Sequence, residues 1–258
     1  MIVKAAMRLE QRNWLVLAVD HGLYDGNVPG LDDPEEVLLE GIARGADAVI
    51  VSPGMARRVG HTCGDSLSVP LIVSIDSDFS SVGTANPAGV IISSVDRAAA
   101  LGASAVKLLM PAGGSVELGP VLTRIGRVVD RAAQLGILVV VEPVRLDEAD
   151  SEEYWDALGD AARVAAEIGA DVIKIEYPGE PRLRAWVETL RIPIWILGGD
   201  LRASEETCDL VRRAIAGGAQ GVAMGSNIWG HGLSEMPGLL ASLRQIMGSG
   251  AESDVGYP

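Results

Sequence analysis

The apolar positions of the chain gather into eight short runs: Leu15–Asp20, Ala48–Ser52, Leu71–Asp76, Ala105–Met110, Ile137–Val144, Val172–Tyr177, Ile194–Leu197 and Gly221–Met224. Runs of this length, rich in Val, Ile and Leu and apolar at nearly every position, predict strands buried on both faces. Helical segments separate them. Asp32-Asp33-Pro34-Glu35-Glu36 opens one, with acids in its first turn and proline near its start, and Gly45 closes it. The segments 97–102, 131–136, 165–169 and 213–218 all run into glycine, which supplies the left-handed conformation a helix end needs. Eight such alternations, with no long linker or compositional break, predict an α/β fold, a single (β/α)8 TIM barrel over residues 1–248. A doubly wound sheet is the alternative, and residues 249–258 read as a loosely ordered tail.

Polar residues inside these runs are the anomaly. The chain has only three lysines among 21 basic residues, Lys4, Lys107 and Lys174, and two of them interrupt strand-like runs. In a barrel the carboxyl ends of the strands line the active-site mouth, which gathers Asp20, Asp76, Lys107, Glu142, Lys174, Glu176 and the pair Gly198 and Gly199 into a provisional site. Alternation along a strand gives Lys174 and Glu176 the same face. An amine in such a pocket can form a Schiff base with a ketone, and burial beside a second cation, Lys107, favours its neutral, nucleophilic form. Glu142 or Asp20 would move the protons. Buried structural ion pairs are the plainer reading of the same residues. Gly198, Gly199 and Gly225, with Ser226, fall at the ends of strands seven and eight, where barrels often bind phosphate through backbone amides.

Composition narrows the classes. A net charge of −14 argues against nucleic-acid binding, and 48% hydrophobic residues with mean hydropathy +0.26 describe a chain with a sizeable core. No run approaches the ~18 apolar residues of a membrane helix and the N-terminus does not read as a signal peptide, so the expectation is a cytoplasmic protein. Cys63 and Cys208 match no zinc or redox spacing and read as reduced thiols. His21, His61 and His231 lie far apart, so no metal site and no cofactor is expected; a carboxylate-bound magnesium needs fewer ligands than the sequence can test.

Taken together, Val-Asp-His-Gly (19–22), Ala-Val-Lys-Leu-Leu (105–109), Val-Val-Glu-Pro-Val (140–144), Asp-Val-Ile-Lys-Ile-Glu-Tyr-Pro (171–178) and Met-Gly-Ser-Asn-Ile-Trp (224–229) resemble the class I, Schiff-base aldolase superfamily. That superfamily includes archaeal-type fructose-bisphosphate aldolases and the tagatose-bisphosphate and sulfofructose-phosphate aldolases. The resemblance implies that Lys174 forms the imine, that Lys107, Glu142 and Asp20 line the site, and that His21, Gly198, Gly199, Gly225 and Ser226 contact the substrate or its phosphate. It also implies a homo-oligomer. Two positions depart from relatives: Glu142-Pro143 stands where the archaeal fructose-bisphosphate aldolases have Tyr-Pro, and Gly225-Ser226 where many have Gly-Arg. Arg202 and Arg145 are the candidates to supply the missing charge.

The expected activity is formation or cleavage of a carbon–carbon bond through a lysine imine with a ketose phosphate or dihydroxyacetone phosphate. The alternatives are a biosynthetic aldolase or transaldolase using an unusual aldehyde such as aspartate semialdehyde, a sugar-phosphate epimerase or isomerase without an imine, and a barrel kept as a regulatory binding protein.

Overall fold

The computed structural model describes residues 7, 9, 13–63, 67–77, 89–113, 116–145 and 151–248. The expected tail at 249–258 and most of the N-terminal stretch lie outside them, as does the side chain of Cys63; Cys208 is a free thiol. Eight parallel strands close into a ring in which each pairs with its neighbours in sequence and the last with the first: β1 (Trp14–Ala18), β2 (Ala48–Val51), β3 (Leu71–Ser74), β4 (Ala105–Ala112), β5 (Leu138–Arg145), β6 (Val172–Ile175), β7 (Ile194–Leu197) and β8 (Gly221–Met224). This is the (β/α)8 barrel expected from the alternation.

Seven helices cross back outside the ring: α1 (Pro34–Ala43), α2 (Pro53–Cys63), α3 (Val95–Ala100), α4 (Leu118–Leu135), α5 (Glu152–Ile168), α6 (Glu180–Leu190) and α7 (Ser204–Ala216). After β8 come a single turn, α8 (Ser226–Trp229), and α9 (Met236–Gly248). Asp33 caps α1, its Oδ1 accepting from the amides of Glu35 and Glu36 at 3.1 Å. Gly136 and Gly169 end α4 and α5 in the left-handed conformation, as the sequence signals predict. Among the described residues no helix is long and apolar enough to cross a membrane.

The sheet divides the apolar side chains in two. Residues such as Leu15, Leu17, Val49, Val73 and Val141 face outward and join the helices in one large core. A smaller cluster fills the barrel itself: Val16, Ile50, Ile72, Val140 and Val172 among others, with Trp14 and Trp195, whose ring centroids are 6.0 Å apart. The two indoles fit because Gly221 lies between them: a Cβ there would come within 2.9 Å of the Trp195 ring and 2.5 Å of the Trp14 carbonyl. Each fully buried aliphatic side chain of this kind stabilises the fold by roughly 1.5–3 kcal/mol. The interior is therefore plugged, and the polar residues of the strands stand on top of that plug at the carboxyl ends.

Two strands stop earlier than their apolar runs. β3 ends at Ser74 and Asp76 opens a two-residue ribbon with Val90–Ile91, while β6 ends at Ile175, leaving Glu176 and Tyr177 in the following loop. Both acids counted toward the site are thereby engaged elsewhere. Asp76 accepts from the Leu109 amide at 2.9 Å and pairs with Arg124, anchoring the ribbon to β4 and α4. Glu176 accepts the Tyr154 hydroxyl from α5.

Candidate active site

Four charged side chains converge over the plug from four strands. Lys107 and Lys174 sit in the middle of β4 and β6, with 2% and 8% of their surfaces exposed, and Glu142 comes from β5 between them. Glu142 joins the two amines: Oε1 is 2.6 Å from Lys174 Nζ and Oε2 is 2.6 Å from Lys107 Nζ. Lys107 also reaches Asp20 Oδ2, at 3.4 Å, at the end of β1 on the other side of the mouth. The second cation expected beside Lys174 is thus present, but a carboxylate lies between the two amines rather than open space.

The charges hold one another in place. Burial alone would raise the Asp20 pKa, but Lys107, His21 and Lys174 outweigh it, with help from the Ser74 hydroxyl, and hold the carboxyl at about 2. Burial likewise opposes the charge on Glu142, and the two lysines reverse that and lower its pKa. For Lys107, burial works against the cation, yet Glu142, Tyr24 and Asp20 around it push the pKa well above the ordinary lysine value. Burial chiefly lowers the pKa of His21, which is neutral near pH 7.

Asp20 supplies a test of this balance. Its folded pKa lies below the ordinary 3.8, so its contribution is complete above about pH 4 and is lost as the pH falls toward 2. The stability gap between the wild type and Asp20→Asn should therefore narrow by roughly 1–2 kcal/mol between about pH 6 and pH 2.5. Urea unfolding of the two proteins at both pH values measures it; an unchanged gap would mean that Asp20 is not held ionised by its neighbours.

Two further side chains belong to this constellation although the sequence did not single them out. Ser74 is the register partner of Lys107 on β3, and its Oγ donates to Asp20 Oδ2 at 2.6 Å. Counting alternate residues from Ile72 would have turned it inward. Tyr24 lies on the loop after β1, where a 3-10 turn, His21–Leu23, starts from the Asp20 carbonyl and carries the chain back over the mouth. Its hydroxyl is 3.0 Å from Lys107 Nζ, and the ammonium is 4.7 Å from its ring centroid. Between this loop and α2 a cleft of about 620 Å³ opens, lined by Asp20, Leu23, Ser52, Met55 and Arg58 among others.

The glycine-rich end lies across β7 and β8. Gly198 follows β7, Gly199 has φ +66°, and Gly225 precedes α8, whose first residue is Ser226. Gly225 has no room for a side chain: a Cβ would overlap the His21 ring and come within 2.7 Å of the Ala18 carbonyl. His21 in turn stacks edge-on against Trp229, with centroids 5.1 Å apart. Buried Asn227 ties the two loops together, donating to the carbonyls of Gly199 and Asp200 at 3.1 and 3.0 Å and accepting from the Arg202 amide at 2.9 Å. Of the two arginines considered for the missing charge, Arg202 lies beside this pair, its Nη2 3.2 Å from where a Gly199 Cβ would stand. Arg145 instead donates to the Glu153 carbonyl at 3.3 Å and lies over the Tyr154 ring. Among the described residues no three His, Cys, Asp or Glu side chains converge as a metal-ligand set.

An amine paired with a carboxylate above an apolar floor suits covalent chemistry on a carbonyl, and the comparisons with known proteins agree. Over 218 residues the chain is 33% identical to 2-amino-3,7-dideoxy-D-threo-hept-6-ulosonate synthase of Halobacterium salinarum, covering 84% of this chain and 80% of that protein. It is 30% identical to the class 1 fructose-bisphosphate aldolase of Thermoproteus tenax, over 83% of this chain and 82% of that one. A solved archaeal fructose-1,6-bisphosphate aldolase, with its catalytic Lys covalently bound to the carbinolamine intermediate of the substrate, superposes with a TM-score of 0.79 at 25% identity, covering 92% of this chain and 95% of the other. Residues 14–231 match the DeoC/LacD family aldolase pattern across all eight strands. The chain belongs to the DeoC/LacD family of class I aldolases.

Proposed function

We propose that Lys174 is the imine-forming residue of this aldolase and that its ketone partner is a ketose phosphate or dihydroxyacetone phosphate. The observation that carries the reading is the unbroken chain from Lys174 through Glu142 to Lys107, at 2.6 Å for each step. An amine attacks a ketone only after giving up a proton, and Glu142 is within reach to take it. Glu142 returns that proton to the carbinolamine hydroxyl, which leaves as water, and the nitrogen lone pair forms the protonated imine. When the adjacent carbon–carbon bond breaks, its electron pair passes to the imine nitrogen, the enamine forms, and the aldol hydroxyl proton leaves to Glu142 or Asp20. Lys107, bound on three sides, keeps its charge and steadies whichever carboxylate is ionised. The phosphate would rest against the amides at Gly198, Gly199, Gly225 and Ser226, with Arg202 beside them and His21 forming part of the wall.

Reduction with borohydride in the presence of dihydroxyacetone phosphate, followed by peptide mass spectrometry, tests the assignment. The expected result is an irreversible adduct on the peptide bearing Lys174. An adduct confined to another lysine, or none with any ketone donor, overturns it.

The Halobacterium relative favours one second reading, a biosynthetic aldolase or transaldolase that joins the three-carbon fragment to an unusual aldehyde such as aspartate semialdehyde. Product analysis with a panel of aldehydes separates the two. In either case we take the enzyme to be a single catalytic domain over residues 1–248, cytoplasmic, free of cofactor and homo-oligomeric, the last in keeping with its 48% hydrophobic residues.

A further inference from the structure

We infer that Tyr24 is a further catalytic residue, donating a hydrogen bond to the oxygen of the aldehyde partner while the carbon–carbon bond forms or breaks. The inference deepens the imine reading above and rests on it. An ammonium has three protons to donate. Lys107 faces three acceptors, Glu142 Oε2 at 2.6 Å, the Tyr24 hydroxyl at 3.0 Å and Asp20 Oδ2 at 3.4 Å. The Tyr24 and Asp20 oxygens take hydrogen bonds and Glu142 Oε2 an ion pair, so the ammonium is already committed to the protein's own oxygens. Tyr24 is in the opposite condition. Its oxygen accepts from Lys107, and its own proton has no acceptor among the described residues.

A phenol that accepts from an ammonium is polarised by it, and its remaining proton becomes a stronger donor. Burial pushes the Tyr24 pKa up, so the donor is the neutral phenol. The order of groups around the mouth says which substrate atom it meets. With phosphate at β7 and β8 and the imine on β6, the rest of the ketose runs on past Glu142 on β5 and Lys107 on β4 toward Tyr24. A cleft of about 620 Å³ opens beside the same β1 loop and reaches Asp20 and Leu23, the latter next to Tyr24 in sequence. The aldehyde oxygen gains negative charge as the new bond forms. A donor fixed in advance at that point lowers the barrier, and removal of one such donor costs about 10²-fold or more in rate.

Tyr24→Phe tests this, because it keeps the ring stacked on Lys107 and removes only the hydroxyl. Two reactions are followed in deuterated buffer. The first is exchange of the α-hydrogens of dihydroxyacetone phosphate, which needs the imine and enamine but no aldehyde. The second is coupling to glyceraldehyde, glyceraldehyde 3-phosphate or lactaldehyde. The expected result is exchange and borohydride trapping within about threefold of the unaltered enzyme, and coupling slower by about 10²-fold. A structural role for the hydroxyl would slow both reactions equally, and that outcome overturns the proposal, as does coupling that survives unchanged. An unaltered enzyme that exchanges but couples none of these aldehydes would also remove the aldehyde oxygen as the partner of Tyr24. Failure of the unaltered enzyme to trap or exchange falls on the imine reading instead, and takes this one with it.

Discussion

Replacing Lys174 by methionine is expected to abolish borohydride trapping and to lower turnover by about 10⁴-fold or more, in a barrel that still closes. The size of the effect follows from what is removed. A covalent intermediate divides one difficult step into two easier ones, and no neighbouring side chain can provide a second route to the same electron sink. Lys107 is the only other described amine near the mouth, and three acceptors hold it in its cationic form. Methionine keeps the length of the aliphatic stem in the barrel wall, so the strand pairing Lys174 with Trp195 is expected to persist. The telling comparison is with Lys107→Met. If Lys107→Met removes the adduct while Lys174→Met retains it, the roles of the two lysines are reversed.

The second large effect is expected at Glu142, and there it is on stability as well as rate. Glu142→Gln leaves two buried ammonium groups facing each other with a neutral amide between them. Breaking a buried pair by removing one partner costs roughly 3–5 kcal/mol, because the charge left behind is still desolvated. The repulsion is relieved when one lysine sheds its proton. The variant should therefore be much less stable than the wild type near pH 6, and the difference should shrink toward pH 9. In the wild type stability also rises with pH, but in the acid range. The Glu142 pKa lies below its ordinary value, so its contribution is present at neutral pH and is lost only on acidification. Urea midpoints for both proteins across that range decide the matter. A constant difference would mean that Glu142 contributes packing rather than charge. Turnover should fall by about 10²- to 10⁴-fold, the usual contribution of a positioned acid or base.

Much of this site is legible in the sequence. A charge inside an otherwise apolar strand is costly, so Lys107, Glu142 and Lys174 stood out as residues that the fold must accommodate for a reason. Asp20 stood out because it ends such a run. What alternation could not give was the point at which a strand stops. Asp76 and Glu176 keep the parity of inward residues, but β3 ends at Ser74 and β6 at Ile175, and both carboxylates find partners outside the lysine chain. Ser74 is the converse case, a residue small enough to pass as a strand end. Tyr24 was hidden for another reason. It lies in a loop of Gly, Asn and Pro, and only the 3-10 turn that follows Asp20 decides where it points. Helix α6 carried no terminal glycine to announce it, since Arg191 itself takes φ +55° there.

The plug beneath the site has a consequence for timing. Trp14, Trp195 and the aliphatic side chains around them form a base that offers, among the described residues, no titratable group to take a proton from the Lys174–Glu142–Lys107 row downward through the barrel. Every exchange with bulk water must pass upward through the opening that the substrate itself enters. A bound ketose would then act as its own stopper, and the protons shuffled during one turnover would be those already inside when it arrived.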